Sequence, residues 1–161
     1  MKIQLEKQLV EPVKIQSHYE IENLGLNGEE LKEKLRCYLS KFTEGILDPD
    51  VANKSPDKFI FNLEKGVLGD FSKRYITVAQ NCRKEVIGIL IGLPRESETL
   101  HIFSLHVDPD YRNKGVASTL LSRCINDMVL GNVKALILDV HIDNKPAYCL
   151  YKKFHFKMKI K

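Results

Sequence analysis

The stretch from residue 74 to 140 limits the fold more than any other part of the chain. Three apolar segments of strand character, Arg74–Gln80, Val86–Leu93 and Thr99–Val107, follow one another across only the short polar pieces Asn81–Lys84 and Arg95–Glu98. Parallel neighbours need a long crossover, so connections this short make the three strands an antiparallel meander. After Asp108-Pro109 the period becomes helical: Ala117, Leu120, Leu121, Cys124, Ile125 and Met128 share one stripe, and Gly131-Asn132 is the stop signal. Lys134–Val140 is then a nearly continuous apolar run, the pattern of a strand covered on both faces. A meander, a covering helix and a buried strand together predict an α+β domain around a mixed sheet.

The flanking segments extend this plan. Val13, Ile15, Ser17, Tyr19 and Ile21 alternate with polar residues and predict a half-buried strand, and a shorter alternation at Ile3 and Leu5 predicts an extra edge strand. Asn27 with Glu30 resembles a capping box, and Leu31, Leu35, Tyr38, Leu39 and Phe42 recur at helical spacing. Residues 45–72, with two Asp/Ser-Pro pairs and glycines at Gly66 and Gly69, read as loop plus a short helix around Phe59–Leu63. Pro146 opens a last helix carrying Ala147, Leu150, Tyr151 and Phe154, and Phe154, Phe156, Met158 and Ile160 then alternate with basic residues as a closing strand. With no repeat and no linker, residues 1–161 read as one domain, 1–12 being an N-terminal extension.

Composition excludes several classes. At 43% hydrophobic and 29% charged residues the chain is of the soluble globular type, and no stretch reaches the ~18 apolar residues of a membrane span. Charges in the first ten residues argue against a signal peptide, so a cytoplasmic location is expected. Four cysteines without a C-x-x-C pair are expected as buried free thiols rather than disulfides, and no metal site is indicated. A net charge of +4 is too small to argue for nucleic acid. The last ten residues hold five lysines and no acid, which favours an anionic ligand nearby or, equally, a solvated strand face.

The chemistry concentrates where the third meander strand runs through Arg112-Asn113-Lys114-Gly115-Val116-Ala117-Ser118 into the helix. Unpaired N–H groups and a partial positive charge at a helix N-terminus favour phosphate, and Gly115 and Ala117 allow close approach. Neither a P-loop nor a dinucleotide fingerprint is present. The segment resembles the acetyl-coenzyme A signature of the GNAT superfamily of N-acyltransferases, [RQ]-x-x-G-x-[GA], at Arg112, Gly115 and Ala117. A second element, an asparagine followed by A-x-x-L-Y, is matched by Asn144, Ala147, Leu150 and Tyr151. Two departures stand out. His155 replaces the glycine of the family's L-Y-x-x-x-G-F, and the chain stops after one strand where the family commonly adds another, so a partner subunit or the N-terminal segment is expected to cover the edge.

The resemblance implies a mixed, mostly antiparallel sheet flanked by helices, with the fourth and fifth strands splayed to admit acyl-coenzyme A. It implies main-chain contacts to pantetheine around Leu105, His106 and Val107, pyrophosphate at Asn113–Ser118, and a polar cofactor contact at Asn144, for which a helix N-cap is an equal alternative. It places Tyr151 as the acid that protonates the departing thiolate, the alternative being a packed aromatic. For the base it offers His101, then His106 or Glu98, or water. By period-two counting, His101 shares a face with Phe103, Leu105 and Val107, and His106 lies opposite. The expected function is acetyl transfer from acetyl-coenzyme A to a primary amine of a small molecule, protein or peptide. A non-catalytic coenzyme A-binding module and an RNA-associated, tRNA-acting acetyltransferase are the alternatives. A homodimer is compatible with the open edge; membrane is not expected as a partner.

Overall fold

The computed structural model describes residues 1–15, 19–52, 54–96 and 98–159. In chain order it contains β1 (Lys2–Gln8), β2 (Glu20–Asn23), α1 (Gly28–Phe42), α2 (Asp57–Glu64), β3 (Tyr75–Gln80), β4 (Val86–Arg95), β5 (Thr99–Val107), α3 (Val116–Leu130), β6 (Ala135–His141), α4 (Lys145–Lys153) and β7 (Lys157–Met158). The strands form one seven-stranded sheet in the order β2-β3-β4-β5-β6-β1-β7. Every neighbouring pair is antiparallel except β5–β6. This is the α+β architecture expected from the meander and its crossover helix.

The apolar residues separate into two clusters, because successive residues of a strand point to opposite faces. Ile89 and Ile91 pack with Leu31, Leu35, Leu39 and Phe42 of α1 and Ile60 and Leu63 of α2. Leu90 packs with Val116, Leu120, Leu121 and Cys124 of α3 and Tyr151 of α4. The approach of α3 to β4 depends on Gly88: a Cβ there would lie 2.9 Å from Val116 Cγ1 and 3.0 Å from Leu120 Cδ1. Any larger residue would push the start of α3, and the loop before it, off the sheet. Among the described residues no helix is long and apolar enough to cross a membrane.

Two features of the sheet shape the cleft. Ile91 of β4 pairs with Ser104, but Gly92 pairs with Ile102, leaving Phe103 as an extra residue in β5. Such a bulge bends and twists the strand that carries it. At the same level the parallel pairing of β5 with β6 ends, at Ile102 opposite Leu138, so Phe103–Val107 and Asp139–His141 diverge. On its other side β6 stays paired with β1 to its very end, Lys2 opposite His141. The gap between β5 and β6 is therefore built into the sheet.

Several sequence expectations change here. The N-terminal alternation forms no edge strand: β1 lies inside the sheet between β6 and β7, which leaves the closing strand β7 at the edge. The strand expected over residues 13–22 begins only at Glu20, with residues 16–18 outside the described residues. Val13 is instead clamped by Asn126, whose side chain accepts from its N–H at 2.8 Å and donates to its carbonyl at 2.9 Å. Asn27 makes no capping bond from its side chain and accepts from Arg74 instead, at 2.9 Å. The closing strand is only two residues long, and Met158 is 59% exposed rather than buried; Ile160 lies outside the described residues. The cysteines are free, but only Cys124 is buried.

Candidate active site

The splay opens into a cleft with two lobes. One, a cavity of about 580 Å³, is bounded by β5, β6, α2 and the segment before α2. The other, about 460 Å³, lies in front of the β5–α3 turn and the start of α4. Leu105, His106, Asn144, Ala147 and Tyr151 line both, so the lobes meet at the gap between the strands.

The second lobe contains most of the residues picked out by the phosphate argument. Val107, Arg112, Asn113, Gly115, Val116, Ala117 and Ser118 line it. Gly115, the N-cap of α3, takes a left-handed conformation with φ of 83°, and a Cβ added there would meet nothing within 4 Å. That combination is open space in front of a helix N-terminus, reached by a backbone conformation that suits glycine. The turn, the open cradle and the side of β5 that faces away from β4 beyond Ile102, where pairing with β6 has ended, fit an extended pantetheine-pyrophosphate group. The two basic side chains of the turn are engaged elsewhere, although Arg112 lines the lobe. Lys114 does not line the lobe, and its Nζ lies 5.5 Å above the Tyr111 ring. The Arg112 guanidinium donates to the carbonyls of Phe42 at 2.9 Å, Glu44 at 2.6 Å and Val107 at 3.3 Å.

The first lobe is more polar. The bulge at Phe103 shifts the facing of β5, so His101 and Phe103 stack at 4.0 Å while Leu105 and Val107 join the α3 cluster with Leu100 and Ile102. Period-two counting had put all four on one face; one extra residue undoes it. For the same reason His106 lines the first lobe together with His101 instead of lying opposite. His101 is 4% exposed, and burial lowers its pKa; Asp139 opposes this shift and Arg95 reinforces it. Arg95 lies 3.2 Å from its Nδ1. A guanidinium only donates, so Nδ1 accepts and the ring proton sits on Nε2, 3.5 Å from Asp139 Oδ2. The other oxygen of Asp139 accepts from Gln4 of β1 at 3.3 Å. Asp139 itself is 40% exposed and lines the cavity. Sequence reasoning missed it, although one acid interrupting the apolar run Ala135–Val140 was a visible signal.

Tyr151 is 7% exposed, and burial raises its pKa, so the phenol keeps its proton at neutral pH. Its hydroxyl makes no hydrogen bond within the described residues. Asn144 caps α4, its Oδ1 accepting from Ala147 N–H at 3.4 Å, while also lining both lobes. His106 is pushed down to about 4, chiefly by burial.

Residues 34–156 match the model of the family described as Acetyltransferase (GNAT) family. The chain belongs to the GNAT acetyltransferase family. Relatives within and around it include an N-alpha-acetyltransferase of Saccharolobus solfataricus, 40% identical over 58 residues that make up 35% of each chain. The [ribosomal protein bS18]-alanine N-acetyltransferase of Salmonella typhimurium is 27% identical over 93 residues, 58% of this chain and 62% of that protein. The chain thus aligns with less than two thirds of either relative's length. A GNAT family acetyltransferase from Elizabethkingia anophelis, solved with acetyl-CoA bound, superposes with a TM-score of 0.61 at 17% identity, over 90% of this chain and 80% of that one. The GNAT fold expected from the two signatures is therefore the fold observed.

Proposed function

We propose that this GNAT domain, spanning residues 1–161, moves an acetyl group in the cytoplasm from acetyl-coenzyme A to a primary amine, by direct attack within a complex of both substrates. The observation that carries this is the meeting of two chemically distinct lobes at Tyr151, one an open phosphate cradle at Gly115 and the other presenting the Asp139 carboxyl. Acetyl-coenzyme A supplies an activated acyl thioester. Asn113–Ser118 and Asn144 would hold its pyrophosphate end, and the main chain of Leu105–Val107 on the side that has left β6 would hold its pantetheine arm.

In the acceptor lobe an incoming ammonium must lose a proton before it can attack. Asp139 is the exposed acceptor there. His101 has its lone pair engaged by Arg95 and directs its N–H towards Asp139, which gives it the part of orienting the carboxyl rather than acting as the base. A main-chain N–H in the splay can bind the charge developing on the acyl oxygen. Tyr151 donates its proton to the leaving sulfur. The low-polarity surroundings that keep the phenol protonated also raise the proton affinity of a thiolate held beside it, so the transfer remains favourable.

The two curated relatives are named for α-amino and ribosomal-protein alanine acetylation, which supports a polypeptide N-terminus as the acceptor. The test uses acetyl-coenzyme A and a hexapeptide with a free N-terminal alanine, following thiol release. Tyr151→Phe is expected to bind acetyl-coenzyme A as the parent does while kcat falls on the order of 10²–10⁴-fold. Turnover within threefold of the parent removes Tyr151 as the acid. A parent that binds acetyl-coenzyme A but consumes no thioester with peptides, small amines or polyamines is a binding module.

A further inference from the structure

The signature arginine is the first residue of the cofactor motif, yet its side chain serves the other half of the cleft. Phe42 is the last residue of α1, and its carbonyl is among those a helix leaves unpaired at its C-terminus. Arg112 donates to that carbonyl and, two residues further on, to Glu44. A second tie runs parallel to it. Lys41 contacts Asp108 at 3.0 Å, and Asp108, 4% exposed, is itself fixed by the N–H of Asp110 at 2.9 Å. The β5–α3 connection thus grips the end of α1 at two places.

Beyond the end of α1, the chain enters the segment shared by the two lobes. Gly45–Leu47 line the cofactor lobe, and Asp48, Asp50 and Val51 line the acceptor lobe. Among the described residues the main chain of 45–52 bonds only to its near neighbours in sequence: Ile46 to Thr43, Val51 and Ala52 to Asp48, Asp50 to the Asp48 side chain, and Lys54 to Val51. Its position is consequently set at its entry, where Arg112 holds Glu44. Nη2 donates the bonds to Phe42 and Glu44 while Nε reaches the Val107 carbonyl at 3.3 Å, a rigid planar fork of donors that the single nitrogen of a lysine on its flexible stem does not reproduce.

We propose that Arg112 is a positioning residue for the acceptor, fixing the entry of segment 45–51 and with it the wall of the acceptor lobe, and that it is not a ligand of the cofactor phosphates. The inference rests on the proposed division of the cleft into a cofactor lobe and an acceptor lobe. Arg112→Gln removes the fork, and Arg112→Lys restores one bond.

Three readouts decide it. Amide hydrogen exchange of residues 44–52 in the ligand-free protein is expected to quicken about tenfold or more in Arg112→Gln and less in Arg112→Lys, with α3 and β6 unchanged. The acetyl-coenzyme A Kd by calorimetry is expected within about threefold of the parent in both variants. With the alanine hexapeptide, KM is expected to rise about tenfold in Arg112→Gln at little change in kcat, with partial rescue in Arg112→Lys. A tenfold loss of acetyl-coenzyme A affinity with unchanged exchange would make Arg112 a phosphate ligand and overturn the proposal. Faster exchange without a shift in KM overturns the acceptor role. If Arg112→Gln does not fold, Arg112→Lys carries the same readouts. A parent that binds no acetyl-coenzyme A defeats the acetyltransferase reading instead, and the exchange result still decides whether Arg112 holds the segment.

Discussion

Where the two lobes meet, His106 is kept neutral mainly by burial, which pushes its pKa from 6.5 down to about 4; Asp48 opposes that shift and Arg112 adds to it. The unfolded chain takes up a proton here as pH drops through 6.5, while the folded chain refuses it until about 4. Stability is therefore lost as pH falls across that window and levels off below it. At ~1.4 kcal/mol per pH unit of difference, the loss attributable to His106 is on the order of 3–4 kcal/mol. Urea midpoints at pH 6.5 and pH 4.5 are expected to differ less in His106→Gln than in the parent; the lowered pKa of His101 leaves part of the slope in both. Equal slopes would show that water reaches His106 in the folded state. None of this was legible in the sequence, where His106 is one polar residue in a strand. The position of Tyr151 in the cleft was legible because a motif carried it. Asp139 had a signal of its own, but a polar residue inside an apolar run gains meaning only once the splay exposes it.

At the scale of elements, the end of α4 shows how a departure from the family pattern is absorbed. His155 takes the place of the pattern's glycine and still adopts the conformation a glycine would, with φ of 67°. His155 N–H donates to Lys152 at 2.9 Å and Phe156 N–H to Tyr151 at 3.0 Å, while the Phe156 and Tyr151 rings pack at 5.6 Å. This is a Schellman end with its hydrophobic contact, and that contact seats Tyr151. A non-glycine residue there costs roughly 1–2 kcal/mol, partly offset in the unfolded chain by glycine's greater freedom. His155→Gly is accordingly expected to stabilise the fold by about 0.5–1 kcal/mol, raising Tm by roughly 1–4 °C in a chain of this size, with acetyl-coenzyme A affinity unchanged. A lower Tm would mean that the imidazole makes a compensating contact. The same element separates what a sequence shows from what it hides. Helical stripes placed α1, α3 and α4 within a residue or two, because each buries its own apolar face. The bulge at Phe103 leaves no mark on the residue pattern, so face assignments past Ile102 came out reversed. Among the described residues the closing strand is short, with Phe156 buried and Met158 facing solvent; alternation alone does not show how far pairing extends.

On the scale of the molecule, the piece least readable from sequence is the one on which the cleft depends. β1 and β6 pair across more than a hundred residues of chain, and two apolar residues, Ile3 and Leu5, were all that announced it. Beyond Leu138, β6 has left β5, and its remaining main-chain partner is β1: Ile3 opposite Val140, Gln4 opposite Asp139, Lys2 opposite His141. Leu5, 1% exposed, fills the core containing Tyr151 and Phe156, and among the described residues β7 pairs only with β1. Deleting residues 1–10 therefore removes a central strand, not an extension. Burying Leu5 alone is worth about 1.5–3 kcal/mol, against a total stability of roughly 5–15 kcal/mol for a typical domain, and the ladder and the β7 contacts go with it. The exposed edge of β6 would also invite aggregation. The chain of residues 11–161 is expected to melt without a cooperative transition, or at least ~10 °C below the parent, and to bind no acetyl-coenzyme A, because Asp139–His141 would have no ladder partner on either side to hold the gap open. A synthetic peptide of residues 1–10 added in excess is expected to restore both the transition and binding. A truncated chain that melts within a few degrees of the parent and keeps its acetyl-coenzyme A affinity would show that the splay holds through β5 and α4 alone.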